Sequence, residues 1–88
     1  MNGSDFRNER IGPLDCLLYG PENPEAVRLT VVLCHGFGAP GTDLAGLAPE
    51  LVQRAPELNG TVEWVFPAAP MTLAHLGYGP GRAWDAGY

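Results

Sequence analysis

Short apolar runs alternate with glycine- and proline-rich breaks along this chain, and the runs carry two different periods. Leu14 to Tyr19 (LDCLLY) is mostly apolar and closes on Gly20-Pro21, which predicts a strand followed by a loop through Asn23 and Pro24. Leu29 to Cys34 (LTVVLC) is apolar except for Thr30, which predicts a strand buried on both faces, as in helix-covered parallel sheets. Leu44, Leu47, Ala48, Leu51, Val52, Ala55 and Leu58 then recur at helical spacing, with Thr42 or Asp43 as the expected cap. Pro49 lacks an N–H and crowds the carbonyl four residues back, so the helix is expected to restart near it after a short first turn. Thr61 to Phe66 (TVEWVF) is β-branched and aromatic, and strand, helix, strand together predict one right-handed crossover. From Pro67 onward no period persists, and a long loop is expected.

Residues 1–13 are polar and end in Gly12-Pro13, so they read as an N-terminal arm, with the structured domain spanning 14–88. Glycine (12) and proline (9) are abundant in the 88 residues, yet 45% of the chain is hydrophobic, which argues against disorder. The net charge of −5, with no lysine, offers no basic footprint for nucleic acid. No secretory signal pattern and no membrane-length apolar run appear, so a cytoplasmic protein with Cys16 and Cys34 as reduced, buried thiols is the expectation. The two cysteines lie far apart in sequence, and neither His35 nor His75 has a second ligand at metal-binding spacing, so no metal and no cofactor are expected.

His35-Gly36-Phe37-Gly38-Ala39-Pro40-Gly41 sits between predicted strand and predicted helix, where two chemistries are used. Gly36, Gly38 and Gly41 satisfy the G-x-G-x-x-G spacing that lets a pyrophosphate approach a helix N-terminus. No acidic residue stands at the end of the second strand to take a ribose, and Pro40 removes one N–H. The alternative is acyl transfer, in which main-chain N–H groups of such a turn stabilise a tetrahedral oxyanion. A tight turn with a packed histidine, in a non-catalytic interaction domain, is the third reading.

Three segments in order, VVLCHGFGAPGTDL (Val31 to Leu44), VFPAAP (Val65 to Pro70) and GRAWDAGY (Gly81 to Tyr88), resemble the phospholipase/carboxylesterase family of α/β-hydrolases, which includes acyl-protein thioesterases. The resemblance implies an α/β fold, here an N-terminal fragment of about three strands and one crossover helix in a mostly parallel sheet. It implies a small acyl ester or thioester as substrate. It makes the Phe37 backbone N–H an oxyanion donor, with His35, Gly36 and Gly38 supporting the turn, and places Thr72, Leu73 and Trp84 near the acyl group. The family's Trp-Phe-Asp motif is matched only by Trp84-Asp85, without the phenylalanine. The resemblance also implies that the strand at Val62 lies between those at Leu14 and Leu29. Cys16 and Cys34 would then sit about 10 Å apart, too far for a disulfide.

The chemistry is incomplete in this sequence. Ser4, the sole serine, lies in the polar arm, and no G-x-S-x-G elbow is present. Cys34 and His35 are adjacent on a predicted strand, so their side chains should face opposite ways. His75 reads as an exposed loop residue, and Asp85 comes too early to be a triad acid. The expectation is a chain interrupted before its nucleophile, inactive alone, since an eight-stranded hydrolase sheet needs roughly 200 residues at about 30 per βαβ unit.

Overall fold

The computed structural model describes residues 4–85. Ser4–Ile11 (β1) and Leu14–Pro21 (β2) form an antiparallel hairpin turned at Gly12-Pro13. Leu29–Val32 (β3), the helix Leu47–Arg54 (α1) and Val62–Pro67 (β4) follow. Met71–Thr72 (β5) and Arg82–Ala83 (β6) pair in a small second sheet. The main sheet runs β1-β2-β4-β3, which puts β4 between β2 and β3.

This arrangement corrects the expected fold. Two of the three strand pairings are antiparallel and only β3–β4 is parallel, so the sheet is mixed. A small, mostly-strand domain with one helix replaces the mostly parallel, three-strand fragment of an α/β-hydrolase. Much of the difference comes from residues 4–11, expected as a polar arm. They form β1 because ladder hydrogen bonds are made by main-chain groups, which polar residues carry as well as apolar ones. Met1 to Gly3 of that arm, and Ala86 to Tyr88 of the third segment, lie outside the described residues.

The helix starts later than its apolar spacing suggests. Pro49 falls at the third helical position, where an N–H has no intrahelical acceptor to lose. Neither Thr42 nor Asp43 caps it: Gly46 occupies the cap without a side-chain bond, and the segment before it is a series of turns, with Asp43 N donating to Pro40 O and Ala45 N to Thr42 O. Ala48 and Val52 then face the sheet and are buried.

The core lies on the helix side. Ala45, Ala48 and Val52 pack on Val62, Trp64 and Phe66 of β4, flanked by Leu17 and Tyr19 of β2 and by Val31 and Leu33. Cys16, Leu18 and Val65 occupy the opposite face. There Arg7 of β1 reaches past β2 to Glu63 of β4 at 2.8 Å, so its stem crosses above Leu18. β3 is not buried on both faces: it is an edge strand, Leu29 and Val32 are 56% and 55% exposed, and Cys34 beyond it is exposed as well. No helix among the described residues covers the face that carries Val32 and Cys34, which is why an apolar run stays open to solvent.

Candidate functional site

Beyond Val32 the chain leaves the sheet and turns at Gly36 to Ala39, next to the C-terminal end of β4. His35 anchors that turn. The residue is 3% exposed, with ring Nε2 3.0 Å from Ala69 N and Nδ1 2.8 Å from the Gly36 carbonyl oxygen. An N–H can only donate, so Nε2 is the unprotonated acceptor, and Nδ1 carries the proton that it donates to Gly36 O. The packing thus selects a neutral imidazole in one tautomer. Trp84 braces the same residue, its Nε1 donating to His35 O at 2.8 Å while the two rings lie 5.2 Å apart.

The bond to Gly36 O fixes a peptide plane. Gly36 C=O and Phe37 N–H belong to one trans peptide unit and point in opposite directions. Holding the carbonyl toward the imidazole therefore turns the Phe37 N–H away from it. Gly36 O also accepts from Ala39 N at 3.2 Å, and two donors on one carbonyl polarise its peptide, strengthening the attached N–H as a donor. Neighbouring amides are spent, since Gly38 N donates to Arg82 O at 2.9 Å. Among the described residues the Phe37 N–H donates to no protein acceptor.

Gly38 adopts φ +82°, a value that closes the turn and that side-chain-bearing residues rarely take. Gly81 permits the close crossing of the second hairpin: a Cβ there would collide with the Gly38 carbonyl. The Phe37 ring, exposed, meets Tyr78 edge-on at 5.8 Å.

Thr72, Leu73 and Trp84 are distributed around this turn unevenly. Thr72 is exposed on β5 opposite Arg82, whereas Leu73 is buried at 5% and its N–H donates to Gly81 O. Trp84 is at the turn, through His35. Arg82, Tyr78 and the Ala69 peptide also belong there, and the apolar and polar spacing of the sequence singles out none of them. The one available signal is a lone arginine in a glycine-rich stretch just before a tryptophan.

The other candidates lie elsewhere. Ser4 accepts from Gly60 N at 3.3 Å, at the far end of β4 from the turn. Cys34 is exposed and His35 buried, so the two form no thiol–imidazole pair. His75 and Asp85 are exposed. The glycine spacing of a dinucleotide site does not lead into a helix N-terminus, because α1 begins only at Leu47. A cleft of about 520 Å³ opens beyond Pro40 to Thr42, lined by Asn8, Arg10, Asp15 and Leu17 and not by Phe37. Its guanidinium is spent on Asp15 and the Pro13 carbonyl. Among the described residues no three of His, Cys, Asp and Glu gather as a metal site, and no helix is long and apolar enough to cross a membrane. Comparison with protein-family models, curated proteins and solved structures returns no match to this chain.

Proposed function

We propose that this chain supplies the main-chain oxyanion donor of a carboxylester or thioester hydrolase. The observation that carries the reading is the Gly36–Phe37 peptide, its carbonyl held by buried His35 and its N–H left without a protein acceptor among the described residues. Oxyanion sites need a donor that is oriented before charge develops, because a fixed dipole costs no reorganisation during reaction. Phe37, Tyr78 and Trp84, exposed at the turn, with Thr72 exposed on β5 opposite Arg82, supply the surface against which an acyl group would lie. A cytoplasmic setting belongs to the same reading.

No nucleophile and base are brought together among the described residues, so the 88-residue chain is expected to leave a p-nitrophenyl ester intact. The direct test is titration with hexanoate, whose carboxylate stands in for the oxyanion, followed by amide NMR. The Phe37 amide resonance should move saturably and by more than any other amide, with Trp84 responding alongside. Shifts confined to Arg10 and the cleft beyond Pro40, or no saturable shift at Phe37, would reject the reading.

A further inference from the structure

We propose that Arg82 is a positioning residue that sets the direction of the Phe37 amide through Ala69 and His35. The inference rests on the oxyanion reading for its functional meaning, and on geometry for everything else. Arg82 bonds to both walls of the site. Its main chain pairs with the glycine turn, with Gly38 N donating to Arg82 O and Arg82 N to Ala39 O, each at 2.9 Å. Its side chain goes to the other wall, Nη1 donating to Ala69 O at 2.9 Å.

Ala69 lies in the segment Pro67-Ala68-Ala69-Pro70, whose two prolines have no N–H. Both remaining donors are committed: Ala68 N to Asp15 O at 2.8 Å and Ala69 N to His35 Nε2. The guanidinium therefore holds the carbonyl of the same residue whose N–H selects the His35 tautomer. From there the relay runs through Nδ1 to Gly36 O and so to the Phe37 peptide plane. Ala69 is wholly buried, and its carbonyl and N–H lie on different peptide units. Because Pro70 restricts the Ala69 ψ, a carbonyl that lost its donor could not swing alone to find another and would shift the Ala69 main chain, N–H included, away from His35. A charged guanidinium bonds more strongly than a neutral donor and from a planar, preorganised head, which makes it the firm end of the relay.

Arg82→Met keeps the stem and removes every donor, while the main-chain bonds to Gly38 and Ala39 stay available. The experiment reads the ¹⁵N resonances of the His35 ring and the Phe37 amide in the wild-type chain and in this variant. The expected result is loss of the single Nδ1–H tautomer pattern, a displaced Phe37 amide, and hexanoate affinity at Phe37 reduced tenfold or more. A His35 pattern and Phe37 amide coincident with wild type would overturn the proposal. Because the ring nitrogens are read without ligand, failure of wild type to bind hexanoate would count against the oxyanion reading alone. Should Arg82→Met lose its cooperative fold, the wild-type chain still decides. Scalar coupling from an Arg82 Nη proton across the hydrogen bond to the Ala69 carbonyl carbon supports the relay, and its absence under slow exchange overturns it.

Discussion

Cys16 and Cys34 carry the same group into opposite surroundings. Burial pushes the Cys16 thiol up, the negative charges of Asp15 and Glu9 add to it, and a hydrogen bond with the Ile11 main chain pulls the other way. A raised value in the fold means that the folded chain keeps its proton where the unfolded chain loses it. The stability from burying Cys16 as a neutral thiol is thus complete below the ordinary thiol range and declines as pH rises through the raised value. In a Cys34→Ser background, denaturation midpoints should fall from neutral pH into the alkaline range, and Cys16→Val should flatten that fall. A colorimetric thiol reagent should find one thiol in the native protein, Cys34, and two after denaturation. The apolar runs around both predict buried thiols: Cys16 is buried, whereas Cys34 is exposed by its place beside an edge strand.

At the scale of elements, periodicity was informative wherever a side chain reports its own burial. β2, β4 and α1 follow the apolar pattern because each is packed on one dominant core. β1 does not, since Asp5 to Arg10 are all exposed and are tied to β2 by main-chain bonds, by the Arg10–Asp15 ion pair and by the Phe6 ring on Tyr19. β3 misleads in the other direction, being apolar without being covered. His35 could be marked as a turn anchor from its neighbours, but its partner Ala69 is 34 residues away, a pairing that no local spacing encodes. The open edge of β3 has a measurable cost, because unpaired strand groups flanked by exposed Leu29 and Val32 template association with another chain. Val32→Lys should lower self-association in concentration-series light scattering while leaving the circular dichroism spectrum unchanged. Val65→Lys, one strand inward at a buried position, should instead abolish the fold.

The molecule as a whole hangs on few side chains. Phe66 and Leu18 are the largest fully buried ones, and only Phe66 joins the cluster beneath α1. Removing an aromatic from a core costs about 3–5 kcal/mol. A chain of this size has about 4–13 kcal/mol in total. Phe66→Ala is therefore expected to remove from about a quarter to all of that stability, which a lowered midpoint in near-ultraviolet circular dichroism melting would report. The bonds that shape the candidate site span long separations, 34 residues from His35 to Ala69 and 49 from His35 to Trp84. On a ribosome the glycine turn would emerge well before the tryptophan that braces it. Until Trp84 clears the exit tunnel, His35 lacks one of its braces, so the turn is completed only after every strand of the main sheet has emerged.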